Sequence, residues 1–121
     1  MKFHLQTQDA HLVTGLGDEW IRVGATEYRA NCVLTPDGVL EGFAPDGFDA
    51  LAESDFAALL AHQPEIVLLG TGRAQRFPHP RLSAALAAAH VGFEVMDTRA
   101  ACRTYNILLG EGRRVVAALI L

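Results

Sequence analysis

The run Glu65-Ile66-Val67-Leu68-Leu69-Gly70 sets the terms for the chain around it. After Glu65 it is continuously apolar, it is bounded by Pro64 and by Gly70-Thr71-Gly72, and it is too short for a helix of ordinary length. Such a run reads as a strand buried on both faces, which needs structure above and below it. Two further β-like runs follow, Phe93 to Met96 and Arg114 to Leu121, with helical patterns between. Pro78 and Pro80 open a helix to about His90, with Leu82, Ala85, Leu86 and Ala89 on its core face and Gly92 ending it in a left-handed turn. Asp97 or Thr98 caps a second helix, whose inward stripe reads Ala101, Thr104, Tyr105 and Leu108. Gly110-Glu111-Gly112 turns the chain into the last strand. The second half is therefore a β-α-β-α-β unit, with parallel strands and right-handed crossovers.

The first half has a different texture. Leu12 to Leu16, Trp20 to Val23, Glu27 to Leu34 and Val39 to Phe43 read as short strands separated by glycine and polar turns, the signal of an antiparallel meander. Thr35-Pro36-Asp37-Gly38 is a strong turn. Ser54 is placed to cap a short helix with Phe56, Leu59 and Leu60 on one face, and Pro64 stops it. The expected fold is α/β in the mixed α+β sense: three layers, with an antiparallel N-terminal part and the C-terminal βαβαβ unit. The chain of 121 residues reads as one domain over residues 1–121.

Composition excludes some functions. The net charge is -4 and Lys2 is the only lysine, so the basic footprint of a nucleic-acid binder is missing. The apolar run Val115 to Leu121 is far too short to span a bilayer, which takes about 20 residues. The N-terminal Met1 to Gln6 lacks the pattern of a signal or transit peptide, so the expected location is cytoplasmic. Cys32 and Cys102 lack paired metal spacing; one disulfide is arithmetically possible, and two free, partly buried thiols in a reducing compartment are the favoured reading. The histidines at 4, 11, 62, 79 and 90 are scattered, and neither a metal site nor a cofactor is expected.

Ligands of open α/β sheets bind outside the carboxyl ends of the parallel strands. Those ends are Gly70-Thr71-Gly72 and Met96-Asp97-Thr98. Glycine lets backbone amides come close to a ligand, and the helix start near Thr98 attracts negative charge by about 0.3–1 kcal/mol. Arg73, Arg99 and Arg103 add charge-assisted donors, Glu94 is a candidate acid or base, and Asn106 shares a helical stripe with Arg99 and Arg103. The candidate ligand site is thus Gly70, Thr71, Gly72, Arg73, Glu94, Asp97, Thr98, Arg99, Arg103 and Asn106, suited to a small anion or an acidic partner. Most members also have a plainer reading. Gly-Thr-Gly serves as a tight connection, Asp97-Thr98 as a cap, Arg99 and Arg103 as a solvated face, and Glu94 as half of an ion pair. Outside this set, Cys102 reads as a packed thiol over an activated thiolate, and Tyr105 as a core aromatic with a tethered hydroxyl over a proton donor. No Walker loop, dinucleotide fingerprint or catalytic constellation is present.

Three blocks carry a family resemblance: Pro64 to Gly72, Gly92 to Leu108, and Glu111 to Leu119. Their order and spacing resemble the uncharacterised DUF498-type domain family that includes the mitochondrial respiratory complex I assembly factor 3. The resemblance implies a β/β/α fold, no established enzymatic activity, and a cleft near the Gly-Thr-Gly loop and the Met-Asp-Thr helix start. It also implies a protein partner in respiratory-complex assembly for the eukaryotic relative. The mitochondrial targeting extension expected of that relative is not seen, so the chain looks bacterial. Two functions follow: a non-catalytic binding or assembly protein, with an exposed apolar patch around Trp20, Phe43 and Phe48, or a small-anion-binding protein or enzyme at the Gly70–Thr98 junction.

Overall fold

The structure is a computed structural model that describes residues 11–121. The readings made on Met1 to Gln6, including Lys2 and His4, lie outside the described residues.

Among the described residues, eight strands form two sheets. β1 (Val13–Gly17), β2 (Trp20–Val23) and β3 (Thr26–Tyr28) make an antiparallel meander. β4 (Cys32–Thr35), β5 (Gly38–Glu41), β6 (Ile66–Thr71), β7 (Gly92–Met96) and β8 (Val115–Ile120) make the second sheet, in the order β5-β4-β8-β6-β7. β6 is parallel to both of its neighbours, with Ile66 opposite Gly92 on one side and Val115 on the other. β8 also pairs antiparallel with β4, which joins the two halves of the chain.

The period-two alternation along the central strands explains the layering. Leu68, Val115, Ala117 and Leu119 face one core with Cys32 and Leu34. The meander covers that core together with Ala101, Cys102, Tyr105 and Leu109 of α3 (Thr98–Gly110). Val67, Leu69, Val116 and Ala118 face the other core, under the short helices α1 (Glu53–Ala57) and α2 (Ala84–Ala88). There Phe56 meets Phe93 edge to face, with ring centroids 5.6 Å apart. Burying each such side chain contributes about 1.5–3 kcal/mol, so both faces of the apolar run need their cover. The mixed α+β, three-layer expectation and the βαβαβ unit hold.

Several boundaries differ, each for a local reason. Glu27 to Leu34 is two strands in different sheets, broken at Asn31. That side chain donates to Ala44 O at 2.9 Å and accepts from Leu121 N at 2.8 Å, carrying the chain from one sheet to the other. Ser54 is not a cap: Ala52 holds that position, and the Asp55 carboxylate accepts from Ala52 N at 2.8 Å. The helix after Pro80 begins as a 3-10 turn, and only Ala84–Ala88 is α-helical; Ala89 is exposed. The left-handed residue that follows is His90 (φ 59°), while Gly92 already belongs to β7. On α3 the inward stripe uses Cys102 and Leu109, whereas Thr104 and Leu108 are half-buried. Phe43 is buried and Phe48 lies under the Arg76 guanidinium, 4.2 Å from the ring centroid, so the expected apolar patch does not form. The large exposed apolar side chains among the described residues are Leu40, Phe77 and Ile107.

Candidate functional site

β6, β7 and β8 point their carboxyl ends the same way, and one residue stitches the three together. The Thr98 hydroxyl donates to Ile120 O at 2.5 Å and accepts from Gly72 N at 2.8 Å. The Thr98 amide donates to Gly72 O at 2.9 Å. Thr98 is thus buried at the first turn of α3, one bond from β6 and one from β8. Asp97 supplies the cap, its carboxylate accepting from Ala100 N at 2.9 Å. Gly70 permits this packing. A Cβ there would come within 2.8 Å of Leu119 Cδ2 and 3.1 Å of Thr98 Cα. Thr71 is buried and shapes the following loop, donating to Ala74 O at 2.7 Å and accepting from Arg76 N at 3.1 Å.

Beyond these strand ends the β1–β2 turn closes a groove of about 330 Å³. Its floor and walls are Leu16, Trp20, Ile21 and Leu121; its rim carries Asp18, Glu19, Arg73, Asp97 and Arg99. The Trp20 indole folds across the turn onto Gly17, where any Cβ would collide with it. Glu19 holds the turn in a left-handed conformation (φ 62°), which is uncommon for a residue other than glycine.

Only half of the ten expected site residues come together at the groove. Gly72, Arg73, Asp97, Thr98 and Arg99 line the groove. Gly70 and Thr71 lie behind it as packing and loop-forming residues. Glu94 is exposed on the edge strand β7 with no arginine within ion-pair distance among the described residues, so neither the buried acid nor the ion pair is realised. Asn106 is spent on β1: its Nδ2 donates to Val13 O at 2.8 Å and its Oδ1 accepts from Val13 N at 2.9 Å. Arg103 is exposed on α3, outside the groove lining. Sequence reasoning missed the hairpin wall and Leu121. The available signal was Gly17-Asp18-Glu19-Trp20, a turn whose glycine makes room for the indole.

The groove's electrostatics do not favour an anion. Its rim has three carboxylates against two guanidiniums, and Arg73 already stands 4.0 Å from Asp18. The amides of Gly72, Thr98 and Ala100 are all engaged in hydrogen bonds within the protein. Asp97 also places its own carboxylate at the helix start, which uses the attraction that an anion would seek. The groups that burial shifts lie in the core instead. Burial pushes the Cys32 thiol up to about 12 and Cys102 up to about 11; the Arg99 and Arg103 charges pull Cys102 the other way without offsetting it. The Tyr105 hydroxyl donates to Thr35 O at 3.1 Å, and burial raises its pKa as well. Both cysteines are free, and Tyr105 is the tethered core aromatic that its position suggested. No helix among the described residues is long and apolar enough to cross a membrane.

Comparison with known proteins places this architecture. The model of the family described as a protein of unknown function (DUF498/DUF598) matches residues 13–120. The 13 kDa major membrane protein of Francisella tularensis is 34% identical over 95 residues, covering 78% of this chain and 77% of that protein. The mouse NADH dehydrogenase [ubiquinone] 1 alpha subcomplex assembly factor 3 is 37% identical over 91 residues, 74% of this chain. The match spans about half of that factor's length (49%). The crystal structure of a Bordetella parapertussis protein superposes with a TM-score of 0.80 at 40% identity, covering 90% of this chain and 93% of that one. The chain therefore belongs to the DUF498 family, a family of unknown function whose members include complex I assembly factors.

Proposed function

We propose that residues 11–121 form one non-catalytic binding domain that docks a segment of a partner protein in the groove at the strand ends, as an assembly factor would. The observation that carries this reading is the groove's make-up: apolar Leu16, Trp20, Ile21 and Leu121 under a rim of both charge signs. A peptide segment offers side chains for both, whereas a small anion uses neither the floor nor the acidic rim. The kinship to assembly factors supports a protein partner, and respiratory-complex assembly is the proposed setting. Cytoplasmic location belongs to the same reading and is supported by the two free, buried thiols.

The rival, a small-anion site built on Arg73 and Arg99, is tested with the same probe. Trp20 is the chain's single tryptophan and lines the groove, so its fluorescence reports occupancy. Titration with phosphate, nucleotides and carboxylate metabolites is expected to leave both the emission and the melting temperature unchanged. A saturable change that disappears in Arg99→Ala would replace the partner reading with the anion reading. Capture of a partner by the immobilised protein, lost in Trp20→Ala, is the positive result expected.

A further inference from the structure

The chain is acidic, and most of its arginines are neutralised locally. Arg29, Arg73, Arg76, Arg81, Arg113 and Arg114 each have a carboxylate within 4.0 Å. Arg22 is held by Thr14, its Nε donating to Oγ1 at 3.0 Å and its Nη2 to the carbonyl at 3.0 Å. Arg99 and Arg103 differ. Both are exposed, and neither has a carboxylate or hydrogen-bond partner among the described residues. They sit four residues apart on α3, so their guanidiniums lie on one stripe. Four residues further along the same stripe is Ile107, 62% exposed and, with Leu40, one of two large exposed aliphatics among the described residues. Arg99 belongs to the groove rim, so this ridge continues from the groove along the outer side of α3 for about 12 Å.

We infer that the Arg99–Arg103–Ile107 ridge of α3 is a docking surface for an acidic segment of a protein partner, carrying an apolar residue for Ile107. The inference deepens the binding reading above by giving the partner's chemistry. Charge complementarity selects an acidic occupant, since two unneutralised guanidiniums with i, i+4 spacing present paired donors to carboxylates. Ile107 selects a peptide over a free phosphate or a headgroup, because a small anion gains nothing from an exposed isoleucine. Such a segment would lie lengthwise on the outer side of α3, its apolar side chain on Ile107 and its carboxylates on Arg103 and Arg99, clear of the acidic groove rim.

The test uses the whole chain, isotopically labelled, in an amide NMR titration with a synthetic peptide of alternating Glu and Leu. The matching Lys and Leu peptide, inorganic phosphate and anionic phospholipid vesicles are the other arms. Expected are saturable shifts of the amides from Arg99 to Ile107 with the acidic peptide alone, weakened by added salt. Arg103→Ala and Ile107→Ala should each weaken binding about three-fold, and Arg99→Ala with Arg103→Ala about ten-fold. Arg81→Ala, on an arginine with its own carboxylate, should change nothing. These side chains are exposed, so the variants keep the fold, which their amide spectra verify. Shifts confined to the groove amides of Gly72 and Trp20 would overturn the ridge while leaving the binding reading standing. A response to phosphate or vesicles in place of the peptide, or no response to the acidic peptide, would overturn the inference.

Discussion

Asn106 holds Val13 by both of its main-chain groups, as a neighbouring strand would. The carboxamide donates to Val13 O at 2.8 Å and accepts from Val13 N at 2.9 Å. This pair ties the first strand of the meander to the middle of α3 across 93 positions of sequence. It also fixes the hairpin whose turn walls the groove, so a structural contact governs the shape of the candidate site.

Asn106→Ala is therefore expected to cost about 1–3 kcal/mol, because two backbone groups lose their partner. The loss should fall first on the meander. Amide exchange in β1 and β2 should accelerate before exchange in β6 and β8, since the hairpin opens locally ahead of the central sheet. Asn106→Asp retains the acceptor for Val13 N but turns a carboxylate toward Val13 O. Its deficit in urea unfolding should shrink as the pH falls and the new carboxyl protonates. Uniform acceleration across all strands would mean that Asn106 does not hold the meander in particular.

Gly70 and Gly110 give opposite expectations for one substitution. Alanine at 70 would drive its Cβ to 3.1 Å from the backbone of Thr98, and α3 cannot retreat without breaking the Thr98 bonds to Gly72 and Ile120. Gly70→Ala should destabilise by about 1–3 kcal/mol, as overpacking does. Gly110 meets nothing within 4 Å and sits in the last turn of α3. Gly110→Ala should be neutral or stabilising by up to about 1 kcal/mol, through helix propensity alone. Both are read from chemical denaturation midpoints.

Local signals explain which parts of this architecture were readable. The buried run from Ile66 to Leu69, the Asp97 cap and the turn at Pro36 depend on residues within a few positions of one another, and they fold as their pattern implies. The joint of β6, β7 and β8 followed from topology, so Gly72, Asp97 and Thr98 could be named in advance. The groove's other wall could not. Leu16 to Ile21 reach it through a meander that packs on the core and is tied to α3 by Asn106, and Leu121 through the end of β8, where Asn31 binds its amide. Side chains with several uses were misassigned for the same reason. An asparagine beside two arginines on a helix stripe looks like a ligand group until its strand partner, distant in sequence, is placed.

The two core thiols define an alkaline limb of stability. Cys32 and Cys102 share one core cluster, and burial raises them to about 12 and about 11 from 9.0. A group whose pKa is raised by folding contributes fully below its unfolded value and loses that contribution as pH rises toward the folded one. Stability should therefore decline above about pH 9, where the unfolded thiols ionise and the folded ones do not. Cys32→Ala should flatten that limb while costing packing at neutral pH. A disulfide-exchange reagent at pH 8 should label the native protein no faster than it unfolds. Rapid labelling of the native state would show one thiol open to solvent and would remove the basis of the pH expectation.

Glu65 defines the acid limb, at the opposite end of the strands from the groove. Its carboxylate accepts from the Arg114 amide at 3.3 Å and from Arg113 Nε at 3.0 Å, and those bonds lower its pKa from 4.5, the backbone bond foremost. A carboxyl lowered by folding contributes above its unfolded value and loses that contribution as pH falls through the folded one. The gain is modest because the group is exposed and solvent screens it. Glu65→Gln should lower the urea midpoint slightly at pH 7 and by progressively less below about pH 4.5, the two proteins converging once the native carboxyl is protonated. Added salt should weaken the contributions of the Arg113 and Arg114 guanidinium charges and spare the bond from the Arg114 amide, which carries no formal charge on its donor. A gap between the two proteins that is independent of pH would assign the effect to side-chain shape rather than to the carboxylate. The Trp20 emission of the groove should be the same in both, because Arg113, Arg114 and Glu65 lie outside its lining.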